Sequence, residues 1–203
     1  MAQADIALDA VVAEEDILRA SLYDLLASLL ANPPKQELID RVAKLDGDDG
    51  DLGSAVKVLA RIAGATKARS AEHEFNRLFI GVARGELLPY ASYYMTGFLN
   101  EKPLAMLRND MARHSIERAP NVFEPEDNVA SLCEMMAGLI LGRFGEPVLL
   151  AGQKDFYSAH IGPWIGHFFS DLEAAKGSVF YAPVGAIGRA FMEIEREAFR
   201  MWA

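Results

Sequence analysis

Two short segments of the chain concentrate side chains that could bind or transfer charge. The first is rich in hydroxyl groups and the second in carboxylates; the side chains are Tyr90, Ser92, Tyr94, Glu124, Glu126 and Asp127. Paired carboxylates can act as general acid and base, and they also bind guanidinium groups bidentately. Consecutive acids before a helix have a simpler use as well, because they face the positive end of the helix dipole. The residues alone leave these three interpretations open.

The four histidines do not follow a metal-binding pattern. His73 has no second histidine four residues later, as a zinc protease helix would require. His160 and His167 are seven residues apart and lack nearby cysteines, so they are interpreted as a half-buried core histidine and a surface histidine. Phosphate-binding glycine loops and a nucleophile elbow are also missing from the sequence. We expect no metal, no cofactor and no catalytic residues, although a small all-α hydrolase with a carboxylate-held metal stays an alternative.

Composition excludes several classes of protein. The net charge of −9 and the lack of a basic patch argue against a nucleic-acid-binding protein. A single cysteine excludes an internal disulfide and suits a reducing compartment. The first residues lack a basic and an apolar region, and the apolar runs are too short to cross a bilayer. The expectation is a cytoplasmic protein with no stable membrane insertion.

Apolar residues recur at intervals of three and four throughout the chain, which is typical of amphipathic helices. This period predicts one all-α globular, bundle-like domain over residues 1–203 with about eight helices. The predicted helices are 5–31, 36–45, 52–65, 67–79, 103–118, a helix within 123–145, 155–174 and 179–202. The stretch at about 81–94 has glycines, a proline and tyrosines without a helical period, and we predict a hinge-like connection there.

The helix within 123–145 carries the second charged segment. Glu124 is predicted as its cap, Pro125 as its first residue, and Gly142 and Gly145 as its end. Together with the tyrosine-rich connection and several methionines, this acidic helix start favours a groove for a peptide, with carboxylates for arginines and apolar surface beside them. Ordinary core filling explains the individual methionines equally well.

Three motifs resemble, in order and spacing, those of the TorD/DmsD family of redox enzyme maturation chaperones. They are Glu-Phe-Asn-Arg-Leu-Phe-Ile-Gly at 74–81, Pro-Tyr-Ala-Ser-Tyr-Tyr at 89–94 and Glu-Pro-Glu-Asp-Asn at 124–128. A C-terminal Phe-x-x-x-His-x-x-x-Trp at 156–164 and Phe180-Tyr181 are similar to that family too. The resemblance covers about residues 15–200.

The resemblance implies a non-enzymatic cytoplasmic chaperone. Its partners would be the N-terminal twin-arginine signal peptide and the apo form of a molybdenum-containing oxidoreductase, with cofactor insertion aided and premature export prevented. The signal-peptide-binding role carries over to Tyr90, Ser92, Tyr94, Glu124, Pro125, Asp127 and Asn128. Asn128 stands where the family pattern has histidine, and an amide cannot titrate or become positively charged.

Three further expectations concern function, oligomeric state and mutation. The alternative function is that of a NarJ-like assembly chaperone, which holds a redox enzyme subunit that is not exported. The long connection permits either a monomer or a domain-swapped homodimer. Replacing Asp127 with Asn is expected to weaken peptide binding with little loss of stability.

Overall fold

The computed structural model describes residues 12–82, 84–120 and 122–201, and these fold into ten α-helices. The helices are α1 (Glu14–Leu30), α2 (Gln36–Val42), α3 (Asp51–Ala65), α4 (Ala68–Phe75), α5 (Ala91–Thr96), α6 (Lys102–Arg113), α7 (Val129–Leu141), α8 (Leu150–Phe156), α9 (Ile165–Ala174) and α10 (Tyr181–Met201). One isolated antiparallel bridge joins Tyr90 to Asn128, and no strand occurs in these three ranges. The predicted all-α class is confirmed, with ten helices rather than about eight.

Helix α7 lies at the centre of the core. Ten of its 13 residues are buried, because its apolar side chains face neighbours on nearly every side. The long helix α1 packs along α7, and α10 packs along α9 and α3. One hydrophobic core joins these helices. Within the described part of the chain, every helix is too short or too polar to cross a membrane.

The start of α7 differs from the prediction. The helix begins at Val129, and Asn128 is its cap, with Oδ1 accepting a hydrogen bond of 2.9 Å from the backbone N–H of Ala130. Glu124 and Pro125 therefore lie before the helix, and the prediction that they cap and open it is wrong. An asparagine side chain satisfies a free N–H of the first turn directly, as a favoured cap residue does. The predicted end is confirmed, because Gly142 adopts the left-handed conformation with φ of 70°.

Other helix boundaries also differ. The helix predicted over 155–174 is divided into α8, a π-helical turn at Tyr157–Ile161 and α9, because Pro163 cannot donate within a continuous helix. The predicted helix 103–118 ends at Arg113, and residues 91–94 of the predicted connection form the start of α5. The first predicted helix is described from Glu14 onward, and its residues 5–11 lie outside the described part.

The buried carboxylate of Glu74 on α4 fixes the start of α10. Its Oε1 atom accepts hydrogen bonds from the backbone N–H groups of Val179 at 2.8 Å and Tyr181 at 2.9 Å. Its Oε2 atom accepts a third from Phe180 at 3.2 Å. A side chain from a distant segment thus satisfies amides that helix geometry leaves free. Glu74 belongs to the first motif of the sequence, and the structure assigns it this role in folding.

We predict that Glu74→Ala lowers the free energy of unfolding by about 2–4 kcal/mol, because buried amides lose their acceptor and the helix loses a cap. Urea titration followed by circular dichroism would measure this change. Glu72→Ala is the matched control, since Glu72 lies on the same helix and is exposed. Equal stability of the two variants would contradict the capping role.

Candidate functional site

The structure brings the hydroxyl-rich segment at 89–94 and the carboxylate-rich segment at 124–128 side by side. The backbone N–H of Val129 donates to the carbonyl oxygen of Pro89 at 2.9 Å, and that of Ala91 donates to the carbonyl oxygen of Asp127 at 3.0 Å. These two bonds hold residues 89–91 antiparallel to residues 127–129. The hydroxyl-rich and carboxylate-rich segments, far apart in sequence, therefore form one surface feature.

Asp127 lies beneath this surface. Its side chain is fully buried, and Oδ2 accepts a hydrogen bond of 2.8 Å from the backbone N–H of Ser92 in the first turn of α5. Ser92 is fully buried as well, and its Oγ and the Oδ1 of Asp127 have no hydrogen-bond partner among the described residues. Neither side chain is exposed on this surface, and the direct peptide contact that the sequence predicted for them stays a prediction.

Glu126 is also turned inward. Its Oε2 atom accepts hydrogen bonds from Arg108 at 2.8 and 3.1 Å, and Arg118 lies 3.8 Å from Oε1. Burial raises the pKa of Glu126, but the hydrogen bonds and positive charges of the two arginines outweigh it and bring the pKa below its usual value. This carboxylate is the internal partner of two arginines of the chain itself.

Tyr94 is held by the α9 side of the molecule. Its hydroxyl group donates to Asp171 at 2.8 Å, and its ring packs against Trp164 and Phe168. Burial raises the pKa of Tyr94, and the hydrogen bond to Asp171 raises it further. Pro125 is half-buried and accepts a turn hydrogen bond from the backbone of Asn128. Tyr94 and Pro125 thus contact other parts of the protein and do not line the groove described next.

A groove of about 690 Å³ opens between the end of α1, the end of α4 and residues 122–134. We call it the carboxylate groove. Of the predicted site residues, Tyr90, Glu124 and Asn128 line it. The hydroxyl group of Tyr90 donates to the carboxylate of Glu124, which remains exposed to solvent. Burial against the groove wall raises the pKa of Glu124.

Apolar side chains share the walls of the carboxylate groove with polar ones. Ile80 and Phe123 line it with 59% and 88% of their surface exposed, and Phe79 and Pro89 form a deeper part. Exposed apolar side chains grouped around a cleft are typical of a surface that binds a partner. An apolar segment with positive charge matches this surface.

Sequence reasoning missed Glu134 as a groove residue. This exposed carboxylate stands on α7 and lines the same groove as Glu124. The available signal was its position as the one acidic residue within the apolar sequence of α7. Ile80 and Phe123 were missed for another reason, since exposure of an apolar side chain depends on how the helices pack.

The remaining candidates are structural. His160 is buried, with Nε2 2.6 Å from Oδ2 of Asp110, and its carbonyl oxygen accepts from the Trp164 ring at 2.8 Å. It is therefore a core histidine, as predicted. Burial raises the pKa of the Cys133 thiol. In residues 12–82, 84–120 and 122–201, no three histidine, cysteine or acidic side chains cluster as a metal site would require.

Comparison with known proteins places the chain among maturation proteins. A family model described as the nitrate reductase delta subunit matches residues 45–170, a range that includes the segments at 89–94 and 124–128. The chaperone protein TorD of Vibrio atlanticus is 26% identical over 88% of this chain and 93% of its own length. TorD of Vibrio cholerae is 25% identical over 88% of this chain and 90% of its own length. These relatives are named chaperones, in agreement with the prediction that the chain is not an enzyme.

A solved structure supports the fold. The crystal structure of an Archaeoglobus fulgidus protein, assigned to redox enzyme maturation, matches 87% of this chain and 94% of its own with a TM-score of 0.57. The two sequences are 18% identical. At that identity the match establishes the helical fold alone.

We predict that Asp127→Ala lowers the free energy of unfolding by about 1–3 kcal/mol, because the Ser92 amide loses its acceptor inside the protein. This expectation replaces the sequence-based one of little stability loss at position 127. Thermal and urea unfolding would measure it. Asp155→Ala, at an exposed aspartate, is the control and should change stability by less than about 0.5 kcal/mol. A wild-type unfolding curve for Asp127→Ala would refute the buried hydrogen bond.

Proposed function

We propose that this chain, which belongs to the nitrate reductase delta subunit family and is a TorD-type chaperone of redox enzyme maturation, binds the twin-arginine signal peptide of its client in the carboxylate groove. The client would be the apo form of a molybdenum-containing oxidoreductase. One observation carries the proposal: exposed carboxylates and exposed apolar side chains line the same groove. A twin-arginine signal presents the complementary pair, two arginines followed by an apolar run.

Glu124 and Glu134 are the residues that would bind the arginines. Both are exposed, both line the groove, and neither forms a salt bridge with another described residue. Glu126 and Asp127 differ from them, because both are buried and each binds a group of the protein, Arg108 or the backbone N–H of Ser92. A guanidinium group can bind an exposed carboxylate through hydrogen bonds to its oxygens. Tyr90 orients Glu124 through its hydroxyl group.

Ile80 and Phe123 would receive the apolar run that follows the arginines. Their exposed surface would be removed from water by a bound apolar segment, and this burial is the main source of affinity for such a ligand. The carboxylates would then set orientation and selectivity, since exposed ion pairs contribute only modestly to affinity. Asn128 would contribute to the groove indirectly, because it caps α7 and so fixes the start of the helix that forms one wall.

Occupation of the groove accounts for the chaperone role in a direct way. A signal peptide held in the groove is withheld from the export machinery while the cofactor is inserted into the apo-enzyme. The chaperone would act in the cytoplasm and release the client once it has folded. No catalytic group is required for this cycle.

The second candidate function is assembly of a redox enzyme subunit that is not exported. The family model that matches residues 45–170 is described as a nitrate reductase subunit, and this favours a NarJ-like role. Such a client would present an apolar segment without paired arginines. The two functions therefore differ in how strongly binding depends on arginine.

We predict that a twin-arginine signal peptide binds in the micromolar range or tighter, at about −8 kcal/mol. Replacing both arginines with alanine should weaken binding about 30-fold, because two ion pairs of about 1 kcal/mol each are lost. Replacement with lysine should weaken it only a few-fold, since charge remains but bidentate geometry does not. Titration calorimetry would measure all three. Equal affinity for the arginine and alanine peptides would favour the NarJ-like function.

We also predict that Glu124→Gln and Glu134→Gln each weaken binding of this peptide about fivefold. Wild-type affinity should fall at acid pH, because a protonated carboxylate no longer attracts a guanidinium group. The raised pKa of Glu124 moves this loss to higher pH than for an ordinary glutamate. The pH dependence should shrink in Glu124→Gln.

The control for these variants is Glu72→Gln, an exposed glutamate outside the groove. Each variant is also measured with the alanine peptide. The four affinities form a double-mutant cycle, which isolates the free energy of the carboxylate–arginine contact. If the glutamine variants weaken both peptides equally, the two carboxylates do not bind the arginines.

A further inference from the structure

A second and larger groove, of about 880 Å³, lies between α1, α2 and α3. It shares no lining residue with the carboxylate groove. We call it the leucine groove, because six of its lining residues are leucines. They are Leu18, Leu22, Leu25, Leu38, Leu45 and Leu52. Its size is within the range of sites that bind ligands in known proteins.

One wall is an apolar stripe on α1. Leu18, Leu22 and Leu25 follow at spacings of four and three, which places them on one face of the helix. Leu18 has 62% of its surface exposed, and the other two are half-buried. The opposite face of α1 carries the buried residues Tyr23 and Leu30 and packs into the core. Helix α1 therefore has an apolar stripe that core packing covers only in part, since Leu22 and Leu25 touch the core and Leu18 is exposed.

The shape of the groove fits a helix. The lining residues of α1 run from Leu18 to Ser28, a length of about 15 Å or nearly three turns. Ser21 and Ser28 lie seven residues apart beside the leucine stripe, and such small side chains let another helix approach closely. Ile194 of α10 closes the groove with half of its surface exposed. A helix with leucines at spacings of three and four would fill this space in the helix-in-groove mode.

The charge around the leucine groove is negative. Asp46, Asp48 and Asp51 line it on the turn before and at the start of α3, and all three are exposed. Asp24 also lines it but is paired with Arg143 at 2.7 Å. Arg41 opposes this charge with a single cation. Asp46 and Asp48 accept backbone hydrogen bonds but form no salt bridge with another described residue, and exposed carboxylates beside an apolar floor favour a ligand with basic residues at its edges.

We propose that the leucine groove binds an amphipathic helix of a partner protein, with an apolar face toward α1 and basic residues toward Asp46, Asp48 and Asp51. Charge disfavours the other occupants. A second copy of the chain has a net charge of −9, the segment before Val12 carries Asp5 and Asp9, and an anionic membrane would be repelled.

The test uses two synthetic peptides of 14 residues with leucines at helical spacing. The first has arginines at its polar positions, and the second has glutamates there. Fluorescence anisotropy of the labelled peptides should show micromolar binding of the basic peptide and at least tenfold weaker binding of the acidic one. Leu18→Gln and Asp46→Asn should each weaken binding of the basic peptide at least fivefold.

Leu149→Gln is the matched control, because Leu149 is 83% exposed and lines neither groove. It should bind the basic peptide as wild type does. Loss of binding in Glu134→Gln but not in Leu18→Gln would place the peptide in the carboxylate groove and overturn the proposal. Equal binding of both peptides would overturn it as well. A homodimer that Leu18→Gln dissociates would assign the groove to a second copy instead.

Discussion

The candidate site depends on the pairing of residues 89–91 with residues 127–129. Two backbone hydrogen bonds join the segments, and the buried carboxylate of Asp127 adds a third by accepting from Ser92. A buried amide without an acceptor is costly, so this junction strongly favours one relative position of α5 and α7. Tyr90 and Glu124 meet at the surface only because the segments beneath them are fixed. The geometry of the carboxylate groove is therefore a consequence of interior hydrogen bonds.

Burial divides the acidic residues of this chain into two groups. Glu74, Glu126, Asp127 and Glu195 are buried and bind amides, arginines or a tyrosine of the protein itself. A buried carboxylate must have such partners, because removing its charge from water is otherwise unfavourable. Glu124 and Glu134 stay exposed and line the carboxylate groove. The chemistry of an acidic residue in this protein thus depends on its depth rather than on its type.

Under the two proposals, this acidic helical protein recognises basic partners at two separate places. The carboxylate groove presents Glu124 and Glu134 beside Ile80 and Phe123, and the leucine groove presents three aspartates beside a leucine stripe. Each combines apolar surface, which supplies affinity, with carboxylates, which select charge. Because no residue is shared, each groove can be altered without changing the other.

The amino-acid sequence by itself determined the helical class, the end of α7 at Gly142 and the core position of His160. The helical class depends on the three- and four-residue spacing of apolar side chains. The end of α7 depends on the ease with which glycine adopts a left-handed backbone conformation, and the position of His160 depends on the apolar residues around it. The two motifs at 89–94 and 124–128 also supplied three residues that line one groove, Tyr90, Glu124 and Asn128. The resemblance to TorD-like chaperones was confirmed by the family model and by the named relatives.

Only the tertiary structure decided which residues of these motifs are exposed and which are buried. Asp127 and Glu124 are three residues apart in one motif, yet one is fully buried and the other exposed. The start of α7 depended on whether Asn128 or Glu124 reached the free amides of its first turn. Glu134 lines the groove only because α7 places it beside residues 122–124. Burial and long-range hydrogen bonds result from the packing of distant segments, and spacing along the chain does not contain that information.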